Sequence, residues 1–375
     1  MKFLRFLPIV AFLSIFLVSC NEDIDFTGTA SEAPVLYCLL DQNDTLHYVK
    51  LTKAFAGNNN ASEVALIDDS SYYDQVDIVI EKWAGSTKIG EYQLTDTVIT
   101  GKDPGAFYSP DQKVYYFKET NLISDTTITT PNGSQNFKVE YRLIASINNG
   151  EFKITANTEL VQGTSITTPI SQGAYAFVNY NNGTTNYLQQ NVKINAGNAS
   201  IVEARLQFFM DEYYNGVPVE KSYIWKLGYM SEDAFASGGI AAFKASGETF
   251  INLAKSNVTN DPTIDRRVMK KVRLLATCGT SDLNKYILVN QPSSSLAQTK
   301  PTFTNLSTSD GRPVVGIFSS RSTIIQEKLA YNPMAQTLRA FDKNTTKELC
   351  TGPITGTLWF CSEHIGDASE LYHCN

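Results

Sequence analysis

The chain has 375 residues, 31 basic and 38 acidic side chains, a formal charge of −7 and 42% hydrophobic residues. That length holds one large or two ordinary packed domains, and with 18% charged residues global disorder is excluded. The acidic balance leaves no electrostatic footprint for nucleic acid or for anionic lipid.

Residues 1–19 read as a signal peptide. Lys2 and Arg5 form a basic head, Phe6 to Val18 is an almost unbroken apolar run, and Leu17-Val18-Ser19-Cys20 closes it in the layout of a bacterial lipobox. Cleavage before Cys20 leaves its thiol to carry the lipid. A transmembrane helix needs about 20 apolar residues, more than this run supplies. No second long apolar run follows, so the expectation is a protein anchored to a membrane by lipid and not spanning it. Lys2 and Arg5 leave with the leader and no acid does, which takes the mature charge to −9. Residues 20–33 read as a lipidated tether. Glu22, Asp23 and Asp25 stand directly behind Cys20 and resemble the acidic export signal that sends Bacteroidetes lipoproteins to the cell surface.

Residues 34–165 read as an Ig-like β-sandwich domain. Val35 to Leu40 is a continuous apolar run, Asp41 to Asp44 a turn, and Leu46 to Phe55 a return strand. Val76, Ile78 and Ile80 alternate with Asp77, Val79 and Glu81, the period of a half-buried strand. Ile89 to Leu94 and Val114 to Phe117 follow. Phe137 to Asn148 alternates through Val139, Tyr141, Leu143 and Ala145, turns at Asn149-Gly150 and returns from Phe152 to Leu160. Short strands at such regular spacing are a sandwich signature.

The Gly/Thr/Ser-rich stretch 161–168, with Pro169 behind it, marks a boundary. Residues 170–365 read as a second β-rich, sandwich-like or barrel-like domain with two or three short helices. Val202 to Tyr213 alternates, Asn215-Gly216 is a hairpin signal, and Val219 to Met230 returns. Phe250, Leu253, Ala254 and Val258 have helical spacing. Val268 to Cys278 is a strand with basic residues outward. Ser281-Asp282 caps a helix through Tyr286 and Ile287. Val314 to Phe318 and Ser322 to Leu329 read as separate strands, Asn332-Pro333 opens a helix through Phe341, and Gly356 to Cys361 is the last strand. Residues 366–375 read as a C-terminal tail.

Of six cysteines, Cys20 is assigned to the lipid. Cys38 and Cys278 sit in apolar strand patterns and read as buried thiols. Cys350 and Cys361 are the disulfide candidates, because Gly352, Pro353 and Gly356 let the chain fold back, which leaves Cys374 as the unpaired candidate. Cys361, His364, His373 and Cys374 are zinc-type ligands, but their spacing fits no standard finger and an oxidising compartment favours a disulfide, so no metal is assigned.

The only histidines are His47, His364 and His373, and no G-x-S-x-G, H-E-x-x-H, P-loop or dinucleotide fingerprint is present. No catalytic residue and no cofactor are therefore assigned. Asp68, Asp69, Asp74 and Asp77 read as solvated acids, although a suitably spaced pair is what glycoside hydrolysis needs. The doublets Tyr72-Tyr73, Tyr115-Tyr116 and Tyr213-Tyr214 should each put one ring in a core and one outside it. Thr45, Thr97 and Thr126 each follow an aspartate in triplets that resemble the Bacteroidetes O-glycosylation sequon.

Three further segments carry a resemblance: Pro34 to Asp41 with Lys53-Ala54-Phe55, Pro301 to Leu306, and Gly311 to Arg321. With the lipobox and its acids, they make the chain similar to a family of Bacteroidetes outer-membrane lipoproteins known only as a domain of unknown function. The resemblance implies Ig-like β modules at the outer membrane, often encoded near TonB-dependent receptors, and it carries over no catalytic residue. The resulting expectation is a lipid-anchored outer-membrane protein facing the cell exterior. It would act as a non-catalytic accessory or ligand-binding module alongside a TonB-dependent receptor or another envelope protein. A surface hydrolase of glycans or peptides and a structural envelope protein are the alternatives.

Overall fold

The computed structural model describes residues 33–54, 71–101, 111–131, 133–290, 302–330 and 339–374. The leader, Cys20, Glu22, Asp23, Asp25, Asp68 and Asp69 lie outside the described residues, as does the expected helix start at Asn332.

The chain is mainly β, with three short α-helices among the described residues. The first nine strands are β1 (Ala33–Asp41), β2 (Leu46–Ala54), β3 (Val76–Ala84), β4 (Thr87–Gln93), β5 (Thr95–Ile99), β6 (Gln112–Lys118), β7 (Asp125–Thr130), β8 (Gly133–Ile147) and β9 (Phe152–Glu159). Then come β10 (Ser165–Thr168), β11 (Val178–Asn181), β12 (Thr184–Tyr187), β13 (Gln189–Asn195), β14 (Ile201–Tyr214), β15 (Val217–Ser231) and β16 (Ile240–Ser246). The last are β17 (Arg266–Gly279), β18 (Ser307–Thr308), β19 (Val315–Leu329) and β20 (Phe360–Cys361). The helices are α1 (Gly247–Asn257), α2 (Ser281–Asn290) and α3 (Lys343–Thr351).

Two cores form. In the first, β5, β6, β2 and β1 lie across from β4, β3, β8 and β9. The period of two drives this: Val139, Tyr141, Leu143, Ala145 and Ile147 of β8 are all fully buried against Leu36 and Leu40 of β1 and Ile78 and Ile80 of β3. Each such aliphatic side chain contributes about 1.5–3 kcal/mol when taken out of water. In the second, β14 and β17 share a core with β13, β16 and α1. Phe250 of α1, at the helical spacing read from the sequence, stacks on Phe177 at 4.6 Å and meets Phe208 and Phe341 at 5.2 Å each. The Asn215-Gly216 turn joins β14 to β15 with both residues at positive φ, the backbone a tight hairpin demands.

One sheet runs through both cores, in the order β15-β14-β17-β19-β1-β2-β6-β5. Its hinge point is β19. Residues 315–321 pair parallel with β1, and residues 321–329 pair antiparallel with β17. The sequence reading split this strand in two at its serines. Ser319, Ser320 and Ser322 are instead buried and hydrogen-bonded. Ser320 donates to the Glu159 carbonyl at 2.7 Å and accepts from the Val161 N–H at 2.9 Å, Ser319 bonds the Thr280 hydroxyl, and Ser322 bonds Thr164. Buried hydroxyls with partners are tolerated inside a strand, and here they line the joint between the two cores. Leu306 and Phe318 of the C-terminal half accordingly belong to the first core, and β18 extends β9.

Other local expectations shift. The cap of α2 is Thr280, whose hydroxyl accepts from the Leu283 N–H at 3.3 Å. The helix after Phe341 begins at Lys343, where Asp342 accepts from the Thr345 N–H at 3.0 Å. The stretch read as a tail carries buried Asp367 and Tyr372.

The disulfide pairing requires correction. Cys361 bonds Cys374, not Cys350. A bridge between Ser362 and His373 sets the two chain segments side by side and brings their neighbouring cysteines together. Cys350 faces into the second core from α3 and is a buried free thiol, as are Cys38 and Cys278.

Candidate functional site

The first sandwich has two outer faces, and each is built by strand register. On the long sheet, Tyr37 of β1 stands opposite Lys50 of β2, and Tyr48 of β2 stands opposite Tyr116 of β6. Tyr48 and Tyr116 have ring centroids 6.3 Å apart. Tyr37 meets the edge of Tyr286 of α2 at 6.1 Å, and their hydroxyls lie 2.9 Å apart. Lys50 donates to Gln112 at 3.1 Å. Tyr37 and Tyr48 remain 37% and 39% exposed, and Leu46 and Val315 are exposed beside them. The doublet rule holds at this face: Tyr115 points into the core and Tyr116 away from it.

On the second sheet, β3, β8 and β9 align their outward residues in rows. Glu81, Arg142 and Asn157 form one row, Val79, Ile144 and Thr155 the next, with Ser307 of β18 beyond Thr155. Trp83, Glu140 and Glu159 form a third. The Arg142 guanidinium lies 4.2 Å over the Trp83 ring and donates through Nε to Glu140. Asn157 donates to the other Glu140 oxygen at 3.1 Å, and the Trp83 indole N–H donates to Glu81 at 2.8 Å. Hydrogen bonds from Lys88 and Trp83 hold the Glu81 carboxyl below the usual range. Glu81, Glu140, Arg142, Thr155, Asn157 and Ser307 of these rows line an open groove of about 580 Å³. None of its residues was singled out in the sequence as a binding residue. The available signal was a charged or aromatic residue at alternate outward positions, Glu81-x-Trp83 and Glu140-x-Arg142.

The histidines are tied into the fold. His47 is buried, stacks on Phe117 at 4.7 Å and donates from Nε2 to the Glu119 carbonyl at 3.1 Å. His364 accepts the Gly366 N–H at Nδ1 and caps the turn that follows. Burial, and after it the Arg339 charge, hold the His364 pKa below its ordinary value. Arg339 grips Asp367 with two hydrogen bonds of 2.8 and 3.1 Å, and Ser362 donates to it at 2.7 Å. Burial alone would raise the Asp367 pKa, but these bonds outweigh it and the carboxyl sits below the usual range. The adjoining cavity, lined by Cys350, Cys361 and His364 among others, holds about 30 Å³, a water-sized space. Among the described residues no group of His, Cys and acidic side chains is arranged to hold a metal ion.

The candidate glycosylation threonines occupy three settings. Thr45 is exposed in the turn between β1 and β2, whereas Thr97 on β5 and Thr126 on β7 are half-buried. Asp74 and Asp77 are exposed and do not converge on the groove.

No family model matches the chain, and no curated protein matches it. Among solved structures, the C-terminal globular domain of an oligosaccharyltransferase from Pyrococcus abyssi is similar at 9% identity, over 65% of this chain and 46% of that one. The TM-score is 0.19, which carries no argument.

Proposed function

We propose that the protein is a lipid-anchored component of the outer membrane, displayed toward the cell exterior, that acts as a non-catalytic accessory module docking on an envelope protein. A TonB-dependent receptor is the partner class. The observation that carries this reading is the aromatic patch of exposed Tyr37 and Tyr48 with half-buried Tyr116, flanked by exposed Leu46 and Val315 on the outer sheet face. Tyrosine is enriched in the cores of protein interfaces, and contiguous exposed apolar surface marks partner sites. The lipobox ending in Cys20 supports the anchor, and Glu22, Asp23 and Asp25 support display. For the hydrolase alternative, a general acid needs a raised pKa, whereas Glu81 is held low by Lys88 and Trp83.

Affinity capture from gently solubilised outer membranes tests the docking. The wild type should recover an integral envelope protein, and the double variant Tyr48→Ser/Tyr116→Ser should not. Recovery of no envelope partner by the wild type sinks the accessory role. Separately, Cys20→Ala should release the protein or leave an uncleaved precursor, and unchanged membrane retention with normal processing would overturn the anchor.

A further inference from the structure

The groove on the opposite face of the first sandwich is a second surface, independent of the tyrosines. We propose that it binds a neutral oligosaccharide through Arg142, Asn157, Thr155 and Ser307. Four features of the groove lead to that ligand class.

The first is charge. Arg142 has Glu81 opposite it on β3 and Glu140 beside it on β8, with Asn157 on its other flank, so an anionic phosphate or sulfate at the one arginine meets two carboxylates close by. Each acid is also paired with a base: Lys88 lies 2.6 Å from Glu81 and from Glu91, Arg142 bonds Glu140, and Lys138 lies 3.5 Å from Glu159. A cation would have to displace those partners. The ionic groups around the groove are already paired with one another, and the complementary ligand is uncharged.

The second is hydrogen-bonding capacity. Among the described residues, Arg142 spends only Nε in a hydrogen bond, which leaves its two terminal nitrogens as donors. Asn157 spends its amide N–H on Glu140 and keeps its carbonyl oxygen as an acceptor. Thr155 and Ser307 add hydroxyls that donate or accept. This mixture suits a ligand whose groups are themselves both donors and acceptors, as sugar hydroxyls are.

The third is preorganisation. Trp83 fixes the plane of the Arg142 guanidinium, and Glu140 fixes its edge. On the far wall, Asn305 is clamped by two hydrogen bonds to the Phe318 backbone, at 2.7 and 3.1 Å. Side chains already held in place lose little entropy on binding.

The fourth is the backbone beneath. β8, the middle of the groove floor, is paired on both edges, with β3 and with β9, and β18 pairs Ile154 and Thr155 of β9, so at these positions no strand edge is open for a peptide to extend. At about 580 Å³ the groove is within the usual size range for a small-ligand site.

The test uses the full chain on an array of neutral, sialylated and sulfated oligosaccharides, followed by calorimetric titration with the best neutral binder. The expected result is selective binding of one or more neutral oligosaccharides, with affinity lowered at least tenfold in Arg142→Lys, which keeps the charge but loses the planar fork. Asn157→Ala should give a similar loss, and Tyr48→Ser/Tyr116→Ser should leave the affinity unchanged. Melting temperatures of all variants within a few degrees of the wild type exclude misfolding as the cause. Binding of sulfated or sialylated glycans alone, absence of any neutral binder, or unchanged affinity in both groove variants would overturn the proposal.

Discussion

The Asp41 carboxylate accepts the backbone N–H of Thr323 at 3.1 Å, joining the end of β1 to β19 at the point where β19 changes partners. Asp41 is 1% exposed, its other oxygen accepts from the Asn43 N–H at 3.0 Å, and Arg321 lies 3.6 Å away. Asp41→Ala leaves the Thr323 donor unpaired and should cost about 2–3 kcal/mol, with Asp41→Asn costing less because an acceptor remains. Urea unfolding followed by fluorescence checks this. Since β19 serves both cores, the wild type should unfold in one transition. Two well-separated transitions would show that the shared strand does not couple the sandwiches.

Much of this fold was legible wherever one local rule decided the outcome. The alternation through Ile78 and Ile80 placed β3, Asn215-Gly216 placed a hairpin, and Phe250, Leu253 and Ala254 placed α1. The parallel pairing of β1 with β19 was not legible, because no local signal links Cys38 to Phe318, its partner across the sheet. The break expected at Ser319-Ser320-Arg321 is absent for a related reason. Serine reads as a loop residue until the partners that satisfy it, such as the Glu159 carbonyl, are known. The same holds for the groove: Trp83 and Arg142 are adjacent only through the register of β3 against β8.

The cysteines give a second test. Burial raises the Cys38 thiol pKa far above its ordinary value and pushes those of Cys278 and Cys350 up to about 12, so all three should resist alkylation in the native state. In denaturant without reductant these three should react, while Cys361 and Cys374 stay protected. Peptide mapping that joins Cys350 to Cys361 would contradict the structure. Opening the bridge with Cys374→Ser frees a short loop of sequence separation 13 and should cost about 3 kcal/mol on the chain-entropy scale.

The C-terminal cluster contributes to the acid stability. His364 has a folded pKa below its ordinary value, so between the two values the unfolded chain binds more protons. Stability should therefore fall as pH drops below about 6.5, the unfolded value, toward the folded one. Asp367 is also held low, so its contribution is complete above its unfolded value of about 3.9 and is lost as pH falls through the folded value. Denaturant midpoints measured from pH 7 to pH 3 should show both declines. His364→Asn, which can keep an acceptor for the Gly366 N–H, should remove the upper one, and Asp367→Asn should reduce the lower, to which Glu81, Glu119 and Glu327 also contribute. A midpoint flat between pH 7 and pH 5 in the wild type would contradict the assignment to His364.

The adjacent tyrosines of β6 separate packing from docking. Tyr115 is 4% exposed in the first core, whereas Tyr116 lies on the outer face beside Tyr48. Truncating a buried aromatic removes its transfer energy and leaves a cavity, so Tyr115→Ala should cost about 3–5 kcal/mol. Tyr116→Ala removes a partly solvated ring and should cost less than about 1 kcal/mol, yet it should weaken capture of the envelope partner. The pair of variants divides the two roles by a single step along the strand. If Tyr116→Ala destabilises the fold as much as Tyr115→Ala does, the outer tyrosines serve packing, and the docking face must be sought elsewhere. If it leaves both stability and capture untouched, the aromatic row contributes to neither, and the accessory reading loses the observation that carries it.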